Sequence, residues 1–147
     1  MRTSEACSRD VVAARRTTLL SDAARMMRES HVGSIVVLDG DPPKPVGIVT
    51  DRDIVVEVVA AELDPRTVTL GEVMGSDLVT ANENDDALAT LALMRRCGVR
   101  RVPVVDAAGQ LTGIVALDDL LELAGGALGD IVTAINTERS LEAVRRR

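Results

Sequence analysis

The sequence of 147 residues contains no Phe, Tyr or Trp. No aromatic ring is therefore available to stack the bases of a nucleic-acid strand or to enclose a cationic group, so any bound ring must lie between aliphatic side chains. The net charge of −6 also disfavours a broad contact with nucleic-acid phosphates, because such a contact needs a basic surface. We expect no nucleic acid among the partners.

Cysteine and histidine are scarce, with Cys7, Cys97 and His31 as the only examples. Two cysteines make a poor disulfide framework and, with one histidine, a poor metal site. The sequence also lacks a histidine-supported nucleophile and a Walker or dinucleotide-binding glycine loop. We therefore expect no metal, no required cofactor and no enzymatic activity. His31 is expected on the surface or at the C-terminal cap of a helix.

Long apolar runs are also missing, since no stretch reaches the 18 or more residues that a membrane-spanning helix requires. The N-terminal residues lack the apolar segment of a signal peptide. A hydrophobic content of 46% is nevertheless enough to bury a core. We expect a folded cytoplasmic protein without a membrane partner.

An internal duplication is the main feature that the sequence does contain. A shift of the sequence by 67 positions aligns identical residues in two copies, for example Glu5 with Glu72 and Met27 with Met94. When one residue is dropped from the loop after Gly40, Gly47-Ile48-Val49 aligns with Gly113-Ile114-Val115. The predicted units are repeat 1 (1–66), repeat 2 (67–125) and a helical tail (126–147).

Each copy predicts the order β-α-β-β-α from its hydrophobic periodicity and turn residues. In the first copy we predict a strand near 11–12, a helix over 19–30, strands at 34–38 and 46–49, and a helix from 51. In the second we predict a strand near 78–79, a helix over 85–96, strands at 102–105 and 111–115, and a helix over 117–123. The tail after Gly125-Gly126 has an amphipathic pattern, and its apolar face needs either its own domain or a second subunit.

The strand-to-helix junction from Gly47 to Asp53 places a hydroxyl and two carboxylates at a helix start. One interpretation is structural, because Thr50 and Asp53 are residue types that cap helices. The other is functional, because a carboxylate suits a vicinal diol and free N–H groups at a helix start suit a phosphate. The two interpretations are compatible.

Two such copies, each with a Gly-Ile-Val-x-x-x-Asp junction, resemble a tandem pair of cystathionine-β-synthase (CBS) domains, also called a Bateman module. The resemblance covers about residues 3 to 124. It implies an α/β (α+β) fold in which the two repeats pack sheet to sheet about a pseudo-twofold axis, here with an additional C-terminal helix. It also implies two clefts for adenosine-type ligands and a homodimer.

The resemblance implies one complete ligand site, in which Asp53 accepts both ribose hydroxyls and Thr50 contacts ribose or phosphate. Arg101 is the principal phosphate candidate and Arg52 the second. The predicted residues of this stronger site are Ile48, Thr50, Arg52, Asp53, Val79, Thr80, Val99, Arg100, Arg101 and Val102.

The second junction departs from the pattern, because Ala116 replaces the hydroxyl residue and removes a hydrogen-bond donor. We therefore predict that the second cleft is weak or empty. Its predicted residues are Val12, Ala13, Val32, Gly33, Ser34, Ile35, Ile114 and Asp119.

Two non-enzymatic functions are compatible with the sequence. In the first, an adenine nucleotide acts as a regulatory ligand that shifts the dimer arrangement, and the protein acts on a target protein in trans. The expected ligand is AMP, ADP or ATP rather than NAD or S-adenosylmethionine, and the arginines favour a phosphorylated ligand. In the second, the chain is a ligand-free dimerisation or protein-interaction scaffold.

Overall fold

The computed structural model describes residues 1 to 145 and has two three-stranded sheets, one for each repeat. The first half of the chain contains α1 (Thr3–Ala6), β1 (Ala13–Arg15), α2 (Leu20–Ser30), β2 (Ser34–Asp39), β3 (Lys44–Thr50), α3 (Asp51–Ile54) and a π-helical turn (Val55–Val59). The second half contains α4 (Leu70–Val73), β4 (Ala81–Asn82), α5 (Ala87–Cys97), β5 (Arg101–Val105), β6 (Leu111–Ala116) and α6 (Leu117–Arg145).

The two sheets have the same topology. The first strand pairs in parallel with the second, which pairs antiparallel with the third. Glycines with a φ of +88° and +80°, Gly40 and Gly109, lie between the second and third strands of the two copies. The predicted α/β fold with two β-α-β-β-α repeats and a C-terminal helix is confirmed.

Equivalent backbone contacts join the two repeats. Leu20 N–H donates to the carbonyl of Val68 at 2.8 Å, and Ala87 N–H donates to the carbonyl of Met1 at 2.8 Å. The 67-residue shift converts each contact into the other, because residue 20 corresponds to 87 and residue 1 to 68. This reciprocity is the signature of a pseudo-twofold relation between the copies.

The short first helix of each copy packs on the other copy. Leu70 is fully buried in the core of repeat 1, where Met74 also packs. Conversely, Thr3 is fully buried and its hydroxyl lies 2.7 Å from that of Thr90 on α5. Each core is therefore completed by the short first helix of the other repeat.

Two strands and the last helix differ from the sequence-based expectation. The first strands begin at Ala13 and Ala81, two and three residues later than predicted, because they are too short to carry a periodic pattern. The final helix does not stop near residue 123: α6 runs through Gly125-Gly126 to Arg145 as one element of 29 residues.

The helix after Thr50 also differs, because it changes to π geometry at Val55. Within this turn Val58 is fully buried, whereas Val55 and Val59 are exposed. Hydrophobic spacing predicts a helix here but cannot distinguish the two geometries.

Candidate functional site

The first junction is a reciprocal helix cap. Thr50 N–H donates to Asp53 Oδ2 at 2.8 Å, and Asp53 N–H donates to Thr50 Oγ1 at 3.2 Å. Asp51 N–H donates to the carbonyl of Gly33 at 3.0 Å. The capping interpretation is thus confirmed. It leaves the hydroxyl proton of Thr50 and the second carboxylate oxygen of Asp53 without a hydrogen-bond partner among residues 1–145.

The second junction has only half of this cap. Ala116 N–H donates to Asp119 Oδ2 at 2.7 Å, but Ala116 has no hydroxyl to accept the return bond. Leu117 N–H donates to the carbonyl of Arg100 at 2.9 Å, which reproduces the bond between Asp51 and Gly33. The two junctions therefore share their backbone geometry and differ in side-chain chemistry.

A cavity of about 560 Å³ lies between the two junctions and is lined by both. It is asymmetric, since it includes Ile48 and Asp53 from the first copy but neither Ile114 nor Asp119 from the second. Its lining residues are Ile48, Thr50, Asp51, Arg52, Asp53, Gly98, Val99, Arg100, Arg101, Ala116, Leu117 and Asp118.

Six lining residues are charged, three aspartates and three arginines, so the lining has no net formal charge. Arg100 Nη2 lies 4.0 Å from Asp118 Oδ1, and both side chains are well exposed. Such an exposed pair contributes little to stability.

Gly33 brings one arginine close to the first junction. A Cβ at this position would lie 3.2 Å from Asp51 Oδ2 and 3.6 Å from Arg101 Nη2. The glycine therefore leaves space in which the guanidinium of Arg101, from repeat 2, reaches the start of α3 in repeat 1.

Most residues predicted for the stronger site lie around this cavity. Seven of them line it: Ile48, Thr50, Arg52, Asp53, Val99, Arg100 and Arg101. Val79 and Thr80 lie outside the lining, and the side chain of Val102 is fully buried in the core of repeat 2. The prediction for Val102 treated it as a wall residue, whereas its alternation along β5 turns it inward.

Asp51 and Asp118 line the cavity but were not among the predicted ligand residues. The duplication contained a signal for Asp118, because this residue aligns with Arg52.

The residues predicted for the weaker site lie outside this cavity. Ile35 is fully buried in the core of repeat 1, and Asp119 uses one carboxylate oxygen in its cap, as Asp53 does. The half-buried remainder comprises Val12, Ala13, Val32, Gly33, Ser34 and Ile114. Their assignment to a second cleft stays a prediction.

Comparison with known families identifies both copies. The CBS domain model matches residues 4–60 and 70–126, so the chain belongs to the CBS domain family as a tandem pair. Paired CBS domains are regulatory rather than catalytic modules.

The chain has relatives of similar architecture. It is 38% identical over 118 residues to the CBS domain-containing protein YhcV of Bacillus subtilis, with coverage of 76% of this chain and 81% of YhcV. It is 39% identical over 101 residues to hypoxic response protein 1 of Mycobacterium tuberculosis, with 69% of each chain covered. The Methanopyrus kandleri protein MK0525 is 34% identical over 119 residues, and the match covers 81% of this chain but only 60% of that protein.

Solved structures of CBS pairs share the fold. Hypoxic response protein I with two coordinated zinc ions superposes with a TM-score of 0.72 at 33% identity, covering 83% of this chain and 98% of that chain. The CBS pair of MJ0100 in complex with 5′-methylthioadenosine and S-adenosylmethionine gives a TM-score of 0.75 at 25% identity, covering 86% and 98%. Between residues 1 and 145, no group of three or more His, Cys, Asp or Glu side chains is arranged to hold a metal ion.

Within the same described range, none of the helices combines the length and apolar character needed to cross a membrane.

Proposed function

We propose that this protein is a regulatory module that binds an adenosine-type nucleotide in the cavity between the two junctions. The observation that carries the proposal is the convergence of Thr50, Asp53 and Arg101 on one cavity. Its volume, about 560 Å³, falls within the range of small-molecule sites. Two similar proteins support the ligand class: the MJ0100 pair was solved with 5′-methylthioadenosine and S-adenosylmethionine, and the cytosolic domain of MgtE with ATP.

In this proposal the free carboxylate oxygen of Asp53 accepts the ribose hydroxyls, and the hydroxyl of Thr50 donates to ribose or phosphate. Arg101 binds the phosphate, with Arg52 as a second cation. Ile48 and Val99 provide the aliphatic surface on which the adenine lies. A phosphorylated ligand such as AMP, ADP or ATP fits these arginines better than S-adenosylmethionine, which carries no phosphate.

The stronger site is this cavity, and a second cleft at Asp119 is weak or empty. The missing hydroxyl at Ala116 is equivalent to the loss of one neutral hydrogen bond, about 0.5–1.5 kcal/mol. A loss of that size weakens binding up to about tenfold.

Nucleotide binding regulates the protein by favouring one arrangement of a homodimer over another. A ligand shifts such an equilibrium only by its difference in affinity for the two states, so the nucleotide must contact the arrangements differently. The effect is then passed to a protein target in trans.

The missing aromatic residues provide a direct test. A purified sample that retains a band at 260 nm after desalting carries a nucleotide, because the chain itself has no aromatic side chain to absorb there. Mass spectrometry of the released compound identifies it. Thermal unfolding with added AMP, ADP, ATP and S-adenosylmethionine ranks the ligands, since a ligand that binds only the folded state raises its stability.

The opposite result supports the scaffold function. If no 260 nm band is found and millimolar adenine nucleotides leave the unfolding temperature unchanged, the nucleotide proposal is wrong. The protein is then a ligand-free dimerisation or interaction scaffold.

A further inference from the structure

Asp51 places a carboxylate beside the principal phosphate candidate of the cavity. Asp51 Oδ2 and Arg101 Nη2 lie 3.2 and 3.6 Å from the same point, which is the position that a Cβ on Gly33 would occupy. They flank this point without forming an ion pair, since no salt bridge among residues 1–145 includes either of them. Both residues line the cavity. A phosphate bound by Arg101 would therefore lie close to a negative charge.

The charge of Asp51 is not needed for the backbone of this junction. Its N–H bond of 3.0 Å to the carbonyl of Gly33 is matched in repeat 2 by the 2.9 Å bond from Leu117 to the carbonyl of Arg100. Leu117 is the residue that aligns with Asp51, so an apolar side chain supports the same backbone geometry. Asp51 Oδ1 accepts a bond of 2.9 Å from the N–H of Arg52, and the amide oxygen of an asparagine can accept it equally well. The role of the charge must therefore be sought in the cavity.

Two arginines of the cavity are available for a phosphate. Arg52 and Arg101 make no ion pair within residues 1–145, whereas Arg100 Nη2 lies 4.0 Å from Asp118 Oδ1. Two guanidinium groups balance the roughly two negative charges that one phosphate carries near neutral pH. Each further phosphate adds about one charge, which Asp51 repels. The charges of the lining therefore suit a single phosphate.

We propose that Asp51 limits the negative charge of the ligand, so that without divalent cations the cavity binds adenosine monophosphate more tightly than the di- or triphosphate. This inference rests on the proposed nucleotide site and names the class of ligand within it. Asp51 donates no hydrogen bond to the ligand from its carboxylate. It determines specificity through its charge, which opposes a longer phosphate chain.

Coulomb's law gives the expected size of this effect. Two unit charges about 7 Å apart in a water-like medium interact with an energy of about RT, which changes a dissociation constant about threefold for each additional charge. A triphosphate carries about two charges more than a monophosphate. The carboxylate should therefore change the ratio of the two dissociation constants by about tenfold.

Isothermal titration calorimetry of the full chain with AMP and with ATP, in a buffer that contains EDTA, tests the inference. We expect the wild type to bind AMP more tightly than ATP. We expect Asp51→Asn to lower the ratio of the ATP Kd to the AMP Kd by about tenfold. An increase from about 0.1 to about 0.5 M NaCl should lower the ratio in the wild type more than in Asp51→Asn, because the Debye length falls to about 4 Å.

Two control variants separate the local charge from side-chain shape and from net charge. Asp51→Glu keeps the charge at this position and should keep most of the preference for AMP. Asp130→Asn removes one charge from the exposed part of α6, about 18 Å along the helix from Asp118 at the cavity. Its ratio of dissociation constants should equal that of the wild type.

The same titrations distinguish this inference from the proposed function. If both nucleotides bind and Asp51→Asn leaves the ratio of dissociation constants unchanged, the inference is wrong and the nucleotide proposal is unaffected. The same holds if the wild type binds ATP more tightly than AMP in EDTA. If neither nucleotide binds to the wild type, the nucleotide proposal and the inference are both wrong.

Discussion

The sulfur of Met74 lies 2.5 Å from the point that a Cβ on Gly47 would occupy. The glycine of the Gly-Ile-Val strand is thus required by the segment from the other half of the chain, which passes over it. Repeat 2 has the equivalent contact, where a Cβ on Gly113 would lie 2.6 Å from the carbonyl oxygen of Ser8. The two close approaches differ in one respect: the nearest atom to Gly47 is the mobile sulfur of Met74, although the Met74 Cβ also lies at 2.9 Å, whereas the nearest atom to Gly113 is a backbone oxygen.

The two glycines should therefore differ in their tolerance of alanine. We expect Gly113→Ala to lower the free energy of unfolding by about 3 kcal/mol and Gly47→Ala by about 2 kcal/mol, because rotation of Met74 relieves the contact with its sulfur but not the 2.9 Å contact with its Cβ. The carbonyl of Ser8 cannot move in this way, since the backbone of Ser8 exchanges hydrogen bonds of 2.8 and 2.9 Å with Ile114. Urea denaturation measures both. Equal losses would show that Met74 is held as rigidly as the backbone.

The proposed ligand site can be separated from the helix cap by a matched pair of variants. Asp53→Ala and Asp119→Ala each remove a capping bond, of 2.8 and 2.7 Å, so each should cost about 1 kcal/mol of stability. Only Asp53 lines the cavity, so only Asp53→Ala should abolish the rise in unfolding temperature with AMP or ATP. If Asp119→Ala has the larger effect on ligand stabilisation, the assignment of the stronger site is wrong.

The incomplete second cap predicts a stabilising substitution. Ala116→Thr should restore the bond that Thr50 makes in the first copy and raise the free energy of unfolding by about 0.5–1 kcal/mol. Thr50→Ala should lower it by a similar amount. Differential scanning calorimetry of the two variants without ligand checks this. A destabilised Ala116→Thr would mean that the second junction has no space for the hydroxyl.

The C-terminal caps of α2 and α5 allow the cost of a left-handed backbone conformation to be measured. His31 caps α2 with a φ of 54°, as expected for a C-terminal cap, and Gly98 caps α5 with a φ of 66°. Nothing lies within 4 Å of a Cβ on Gly98, so Gly98→Ala isolates the backbone cost, about 1 kcal/mol. His31→Gly should relieve the same strain and be neutral or stabilising. A strongly destabilised His31→Gly would reveal a role for the imidazole in the fold.

Asp39 contributes to the pH dependence of stability in a known direction. The hydrogen bond from Arg16 and the N–H of Gly40 hold the pKa of Asp39 below its usual value. A carboxyl whose pKa is lower in the folded state stabilises the fold above its unfolded pKa, near 4, and loses that effect as the pH falls through the folded pKa. We therefore expect the free energy of unfolding to fall less steeply below about pH 4 in Asp39→Asn than in the wild type.

A double-mutant cycle supplies the control for this pair. Arg16→Gln should reduce the slope in the same way, and the double variant should add little more, because the 2.9 Å ion pair is the shared cause. If the two substitutions reduce the slope of the free energy of unfolding against pH additively, the loss of stability in acid comes from other carboxyls.

The sequence predicts the sheets well because the duplication presents the pattern of each strand and helix twice. The Gly-Ile-Val strands and the acids that follow them were found in this way, and their backbone geometry is reproduced in both copies. Seven of the cavity residues follow from the family resemblance that this duplication supports. The alignment does not predict that α1 packs on repeat 2 and α4 on repeat 1. Packing between distant segments leaves no periodic pattern in either segment.

Predictions from local sequence were also wrong or incomplete at two places, each for a physical reason. Gly125-Gly126 has a low helix propensity, but α6 continues through it because apolar residues resume on the same face at Leu128. The contribution of Asp51 to the cavity depends on Gly33, which is separated from it in sequence and lies beneath the guanidinium of Arg101.

The exchange of α1 and α4 also sets the order in which the protein is completed during synthesis. Repeat 1 cannot close its core until Leu70 and Met74 have left the ribosome, although its own strands emerge much earlier. Thr3 precedes the whole of repeat 1 in the sequence, yet its hydroxyl has no hydroxyl partner until Thr90 has been synthesised. In the nascent chain α1 therefore stays unpacked until α5 has emerged, so each half completes its core only with a helix from the other.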